Sequence, residues 1–166
     1  MSGVLELDEE GYLNLLNTII VNRLGDAVDI ELFHDEDRVK ELVAEAHNYN
    51  VVVIMSNHDF EKVPAKYVIE FRLKKMAALG ADVPKLACMP HNAKDVLTLL
   101  SATNEVNEAI DNPLITMAMG DIGKVTRIAG QVFGSSLSFG AVGKTSAPGQ
   151  LSIDDLRNAE NYLDIK

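Results

Sequence analysis

Apolar and polar positions alternate between two periods along the chain, and each period predicts one kind of element. Apolar residues at helical spacing predict helices over residues 8–22, 35–48, 64–79, 93–103, 122–133 and 152–163. Short runs rich in β-branched residues predict strands over residues 27–33, 51–55, 83–90, 114–119 and 137–142. Strands separated by helices of this length form right-handed crossovers in a parallel sheet. The sequence therefore predicts one α/β domain over residues 1–166.

The spacing of the predicted strands is that of a (β/α) barrel, which closes with eight units in about 250 residues. This chain has 166 residues, opens on a helix, and shows no linker or repeat that divides it. We therefore expect an incomplete (β/α) barrel of TIM type, with about five strands and six helices, equivalent to the last five of the eight units.

The composition and net charge of the chain limit the kinds of molecule that it can bind. The net charge of −10 argues against nucleic acid or an anionic membrane, because both demand a basic surface. It leaves room for a small anionic substrate, since one arginine in a pocket can supply the local charge. The single cysteine, Cys88, rules out an internal disulfide. No signal peptide or apolar span is visible, so we expect a cytoplasmic protein.

One charged residue, Lys85, lies inside the apolar strand at 83–90. Lysine is almost never fully buried unless it is paired or functional. Desolvation favours the neutral amine, which can attack a carbonyl carbon. The alternative is a lysine at a strand end whose stem is buried while its charge reaches water.

Other polar residues follow the rule that function collects at the carboxyl ends of parallel strands. His58 follows the second strand, Arg127 lies in the helix after the fourth, and residues 143–150 form a Gly/Ser/Pro loop typical of a lid. An interior lysine with a strand-end histidine suggests Schiff-base chemistry with a proton carrier. His58 as a simple capping residue and Arg127 as a surface residue remain open alternatives.

The first strand carries two carboxylates, Asp29 and Glu31, on one face. Two interpretations remain open: these carboxylates form a solvated face of the strand, or they point into the barrel and need polar or charged partners there. Cys88 reads as a packing residue. The remaining histidines show no metal-ligand spacing, so no metal site is expected at His34, His47 or His91.

Several motifs occur in a fixed order along the chain. They are 29–33 (DIELF), 53–60 (VIMSNHDF), 79–85 (LGADVPK), 89–90 (MP), 95–100 (DVLTLL), 115–119 (ITMAM), 127–130 (RIAG), 132–134 (VFG) and 146–150 (SAPGQ). With these motifs the chain resembles type I 3-dehydroquinate dehydratase, the Schiff-base enzyme family of the shikimate and quinate pathways. The resemblance runs from about residue 7 to the C-terminus.

The resemblance implies a role for each matching residue. Lys85 matches the lysine that condenses with the substrate ketone, and His58 matches the general acid/base. Arg127 matches the arginine that holds the substrate carboxylate. The remaining matches are lid residues, pocket-wall residues and one acidic pocket residue: Ser146 and Gln150; Met117, Met119 and Phe139; and Asp29. The implied chemistry needs no cofactor.

The resemblance also implies what this chain lacks. The family's first three strands carry a glutamate and arginines that contact substrate, and a further glutamate near the catalytic histidine. Three functions therefore remain open: a dehydratase; a weakly active or inactive homologue that binds the substrate class or needs a complementing chain; and, disfavoured by the motifs, a Schiff-base aldolase. An open barrel would expose inner-face residues such as Ile54, Leu86 and Ile115 or their alternating neighbours, so we expect a homodimer.

Overall fold

The computed structural model describes residues 7–163, in which helices and strands alternate. The helices are α1 (Glu9–Val21), α2 (Glu36–Asn48), α3 (Lys66–Ala78), α4 (Ala93–Asn107), α5 (Gly120–Ala129) and α6 (Ile153–Leu163). The strands are β1 (Ala27–Glu31), β2 (Val52–Asp59), β3 (Val83–Cys88) and β4 (Ile115–Ala118). A 3-10 turn, Gly130–Phe133, follows α5.

Local signals explain where three helices begin. The side chains of Asp8, Asp35 and Asn92 each accept a hydrogen bond from a backbone N–H of the first turn that follows. Such caps satisfy amide groups that have no partner inside the helix. Gly80 ends the turn after α3 with a φ of 94°, a left-handed conformation that favours glycine. No helix among residues 7–163 is both long and apolar enough to cross a bilayer.

The four strands form one parallel sheet in the order β1-β2-β3-β4. The predicted parallel α/β class is thereby confirmed, and the sheet is consistent with an open part of a barrel. One face packs under the helices in the main core, which includes Ile30, Met55 and Leu86. The other, inner face carries a smaller apolar cluster that includes Val83, Ala87, Ile115 and Met117.

The predicted fifth strand at 137–142 is wrong. A strand needs a continuous ladder to a neighbour, and this segment keeps only one isolated bridge, from Ala141 to Ser152; the bridge from Leu114 to Ser135 precedes it. After Ser136, whose N–H donates to the Leu114 carbonyl, the chain leaves β4. Ala141 then exchanges backbone hydrogen bonds with residues 151 and 153 instead. The alternating apolar residues at 137–142 favoured a strand, but no neighbouring strand pairs with this segment in the described part of the chain.

Two smaller expectations also change. β2 does not end at Met55, because its register with β3 continues through the polar residues to Asp59 opposite Cys88. Leu86 lies on the helix-covered face and is fully buried there, so it is not part of the inner face. Ile54 and Ile115 do lie on the inner face, and Ile115 is itself fully buried.

Helix α5 approaches β4 closely at Gly123. A Cβ atom at Gly123 would lie 2.3 Å from the carbonyl oxygen of Ala118, which no side chain can tolerate without movement. Thr126 Oγ1 accepts a hydrogen bond from the Ala118 N–H at 2.9 Å and donates to the Gly123 carbonyl at 2.8 Å. These contacts fix α5 against the carboxyl end of β4, and Arg127 is the next residue of that helix.

Candidate active site

A cavity of about 270 Å3 opens at the carboxyl ends of β2, β3 and β4, beneath the loop at residues 143–150. Eight of the nine site residues predicted from the sequence line it: His58, Lys85, Met117, Met119, Arg127, Phe139, Ser146 and Gln150. Four further wall residues are Phe60, Ala87, Ala147 and Pro148. Asp29, the ninth, is not on the cavity wall but contacts a residue that is.

Lys85 points from the middle of β3 onto the inner face. Its side chain is 13% exposed, and Nζ lies 2.7 Å from Oδ2 of Asp29. The other carboxylate oxygen of Asp29 accepts a hydrogen bond from the Ser56 hydroxyl. On its other side, Nζ lies 5.4 Å from the centre of the Phe139 ring. The amine is thus enclosed and ion-paired, rather than extended into water as the alternative required.

His58 lies near the end of β2, on the same inner face as Lys85. Its Nδ1 is 2.5 Å from Oε1 of Glu31 on β1. The Phe60 ring stacks on the imidazole, with 6.0 Å between centres and 15° between planes. A carboxylate and an aromatic ring therefore fix the imidazole from two directions while its side chain stays 27% exposed.

Arg127 is 3% exposed, which excludes the surface-residue alternative. Its Nη1 contacts Sδ of Met117 at 3.5 Å, and its Nη2 contacts the Pro148 carbonyl at 3.5 Å. Nε is buried without a hydrogen-bond partner, and no carboxylate within residues 7–163 forms a salt bridge with the guanidinium. Burial lowers the pKa of Arg127 from its usual value. A buried cation with weak contacts is suited to bind an anionic group of a ligand.

The loop at residues 143–150 is held closed by its own polar groups and by the start of α5. The backbone N–H and the hydroxyl of Ser146 both donate to Oε1 of Gln150, at 2.7 and 3.1 Å. The Gly120 N–H donates to the Pro148 carbonyl at 3.1 Å. Gly149, with a φ of 71°, packs so tightly that a Cβ atom would lie 2.1 Å from the Gly120 carbonyl oxygen. The loop thereby covers the cavity above β4.

The structure also shows the surroundings of Cys88 and of the side chains that commonly bind metals. Cys88 is buried on the helix-covered face, as the packing interpretation predicted, and burial raises the pKa of its thiol to about 12. Within the described range, 7–163, no group of three or more His, Cys, Asp or Glu side chains is placed to hold a metal ion.

Sequence reasoning did not select two residues that shape the site. Glu31 contacts His58, although the sequence analysis placed it only on a face shared with Asp29. The signal was the period of two, which puts residues 29 and 31 on one side of β1. Phe60 follows His58 by two residues and is 64% exposed, so nothing in its pattern distinguished it from a surface aromatic.

The chain is similar in sequence to one enzyme family along its whole length. The family model described as type I 3-dehydroquinase matches residues 1–166. A 3-dehydroquinate dehydratase from Lactiplantibacillus plantarum is 53% identical over 155 residues, which are 93% of this chain and 62% of that protein. One from Listeria welshimeri is 50% identical over 161 residues, 97% of this chain and 64% of that protein. The chain thus spans less than two thirds of the length of these relatives.

The fold agrees with a solved structure of the same kind. The type I 3-dehydroquinate dehydratase from Clostridium difficile, with covalently modified comenic acid, superimposes with a TM-score of 0.92 at 45% identity. The match covers 98% of this chain and 64% of that one. Sequence, fold and the motifs that line the cavity agree, and the chain belongs to the type I 3-dehydroquinase family.

Proposed function

We propose that the cavity dehydrates 3-dehydroquinate to 3-dehydroshikimate through a Schiff base on Lys85. The observation that carries this proposal is the joint placement of Lys85, His58 and Arg127 on one cavity wall. An enclosed amine, a proton carrier and an unpaired cation are what an anionic keto substrate needs. The covalent modification described for the C. difficile relative supports covalent chemistry in this family.

The reaction balances without a cofactor. Asp29 takes a proton from the Lys85 ammonium, and the free amine adds to the substrate ketone. The proton returns to the former ketone oxygen, which leaves as water, and an iminium forms. The iminium accepts electrons from the adjacent carbon, so His58 can remove a proton there as general base. The substrate carbon–oxygen bond then breaks, and the departing hydroxyl takes the proton back from His58 and leaves as a second water. One water hydrolyses the product imine and restores Lys85, so the net change is loss of one water.

The walls of the cavity have complementary roles in this proposal. Ser146 and Gln150 lie in the loop that covers the substrate, while Met117, Met119 and Phe139 supply apolar walls. Asp29, paired with Lys85 at 2.7 Å, compensates its ammonium charge before reaction. The test is reduction with borohydride in the presence of 3-dehydroquinate, followed by mass spectrometry of the peptide that contains Lys85.

Arg127 is proposed to bind the substrate carboxylate. Arg127→Ala should weaken binding by about 1.5–3 kcal/mol, because a hydrogen bond to a charged group is lost. Arg127→Lys should restore only part of this, since an ammonium lacks the planar two-pronged geometry of a guanidinium. Isothermal titration calorimetry with 3-dehydroshikimate measures both variants, and Arg157→Ala in α6 is the matched control. Wild-type affinity in Arg127→Ala would remove the carboxylate role.

A second candidate is a protein that binds the substrate class but turns over weakly or only with a complementing chain. Two observations favour it: β1 pairs only with β2 among the described residues, and the chain spans 62–64% of its curated relatives' length. Trapping at Lys85 without measurable turnover would select this candidate over the full dehydratase.

We further propose a cytoplasmic homodimer that covers the open side of the sheet. The outer edge of β1 is a template for association, and Val52, 43% exposed, adds apolar surface on the inner face next to it. Light scattering coupled to size exclusion should give about twice the 18.1 kDa chain mass. Val52→Lys should shift the protein towards monomer, whereas the exposed-face control Leu97→Lys should not. A wild-type monomer at all concentrations would contradict the dimer.

A further inference from the structure

A small cavity of about 30 Å3 lies beside Arg127 and is distinct from the active-site cavity. Its wall is formed by the end of α5, the 3-10 turn, residues 135–138 and one residue of α6. Among the residues that the structure describes, Arg127 alone lines both cavities. Its Nη1 and Nη2 contact Met117 and Pro148 on the active-site wall, so the guanidinium has the substrate cavity on one side and the smaller cavity beside it.

Two buried polar atoms at this small cavity have no hydrogen-bond partner among residues 7–163. They are Nε of Arg127 and Oγ of Ser138, and both residues line the cavity. A buried polar atom that lacks a partner costs free energy, and such atoms are rare in folded proteins. Two of them on the wall of one cavity point to a shared partner that occupies the space between them.

Neighbouring side chains on the same wall do not supply that partner. The hydroxyl of Thr126 already accepts one hydrogen bond and donates one, both with backbone groups. The hydroxyl of Ser135 likewise accepts from the Thr116 N–H at 3.0 Å and donates to the Thr116 carbonyl at 3.2 Å. The hydrogen-bonding capacity that remains at this wall is therefore concentrated at Arg127 and Ser138.

The size and the charges of the cavity favour a water molecule as this partner. One water needs about 10–15 Å3 of such space and about two to four polar partners. Arg127 and Glu160 are the charged residues of the wall and have opposite signs, so the cavity has no net positive charge to attract an anion. Glu160 also brings a carboxylate that can accept a hydrogen bond from a water proton.

We propose that the small cavity binds one ordered water molecule, which accepts a hydrogen bond from Nε–H of Arg127 and forms another with the Ser138 hydroxyl. Ser138 is then a positioning residue of Arg127 that acts through the water. The water holds the guanidinium from the side, so that Nη1 and Nη2 stay on the active-site wall. The inference rests on the proposed function, because Arg127 is the residue proposed to bind the substrate carboxylate.

The first test locates the water and requires neither substrate nor turnover. A crystal structure of the unliganded protein should show one water within hydrogen-bond distance of Arg127 Nε and Ser138 Oγ. Ser138→Thr keeps the hydroxyl and should keep the water, whereas the isosteric Ser138→Val replaces the hydroxyl with a methyl group and should lose it. An empty cavity in the wild type would overturn the proposal. An anomalous peak in the cavity after a bromide soak would overturn it as well, because it would identify an anion site.

The second test measures ligand affinity by calorimetry with 3-dehydroshikimate. Ser138→Val should raise Kd by about 3- to 10-fold, the scale of one net hydrogen bond, because Nε loses its partner and the guanidinium can turn. KM for 3-dehydroquinate should rise in parallel while kcat changes little. Ser138→Thr should restore most of the affinity, and Ser101→Val on the exposed face of α4 should bind as the wild type. Equal affinities in Ser138→Val and Ser138→Thr would overturn the positioning role.

A double variant separates this inference from the proposed function. If Ser138 acts through Arg127, Ser138→Val should cause no further loss of affinity in the Arg127→Ala background. A full additional loss there would overturn the positioning role and leave the substrate contact of Arg127 intact. Wild-type affinity in Arg127→Ala would instead refute the carboxylate role of the proposed function, while the crystallographic test of the water would stand.

Discussion

Lys85→Ala is expected to abolish the borohydride-trapped adduct and to lower turnover by about 10⁴- to 10⁶-fold, the scale of losing a covalent nucleophile. No other amine is on the cavity wall within the described residues, so no substitute nucleophile is in place. The variant should still fold. Lys85 lies on the small inner-face cluster rather than in the main core, and Asp29, whose side chain is 39% exposed, can be hydrated when its partner is removed.

Two comparisons make the Lys85 experiment decisive. Lys40→Ala removes an exposed lysine that pairs with Glu36 on α2, and it should retain the full adduct. Lys85→Met keeps the length of the side chain without the amine and should match Lys85→Ala. Intact-mass and peptide measurements assign the adduct. An adduct of the substrate mass on Lys85→Ala would move the nucleophile elsewhere and refute the proposed chemistry.

His58→Ala is expected to separate bond formation from proton transfer. Lys85 should still form the adduct, because attack on the ketone does not require removal of the carbon-bound proton. Turnover should fall by about 10²- to 10⁴-fold, the contribution of a positioned general acid/base. The pH-rate profile should lose the limb that reports this group.

The matched comparison for His58 is His47→Ala, which changes an exposed histidine at the end of α2 that contacts Asp82. It should turn over as the wild type. If His58→Ala keeps wild-type turnover, the imidazole is not the proton carrier. If it loses the adduct together with turnover, imine formation also depends on His58, and the separation of the two steps is wrong.

Much of the fold was predictable because each element carries its own signal. The helical spacing of apolar residues in α1 and α2 and the β-branched run of β2 mark local structure that tertiary contacts only extend. The segment at 137–142 failed for the opposite reason. Its alternation is that of a strand, but a strand exists only where a neighbour supplies hydrogen bonds, and no sequence window contains that neighbour.

The site divides in the same way. Lys85 stood out because a charge inside an apolar strand is costly. Arg127 stood out by its place after the fourth strand and by the family resemblance, and both side chains proved largely enclosed. The partner of His58 was not selected, because the pairing of Glu31 with it crosses 27 positions of chain and depends on the register between β1 and β2. The period of two within a strand predicts which face of the sheet a side chain lies on. The partner that the side chain contacts depends on the register between neighbouring strands, which one strand's sequence does not contain.

The central position of β3 in the sheet affects the order in which parts of the molecule open in denaturant. β3 pairs with β2 over residues 83–88 and with β4 over residues 85–88, so the amide hydrogens of residues 85–88 should exchange only when the sheet opens. The loop at residues 143–150 is joined to α5 by one backbone hydrogen bond, from the Gly120 N–H to the Pro148 carbonyl, and by the contact of Arg127 Nη2 with the same carbonyl. We therefore expect the loop to open at a much lower free-energy cost than the sheet. Mild denaturant should therefore open the loop at residues 143–150 while the amides of β3, the strand that carries Lys85, remain protected from hydrogen exchange. The loop should therefore control how long a ligand stays in the cavity, whereas the sheet controls the reactivity of Lys85. The two parts are cooperative units of unequal stability.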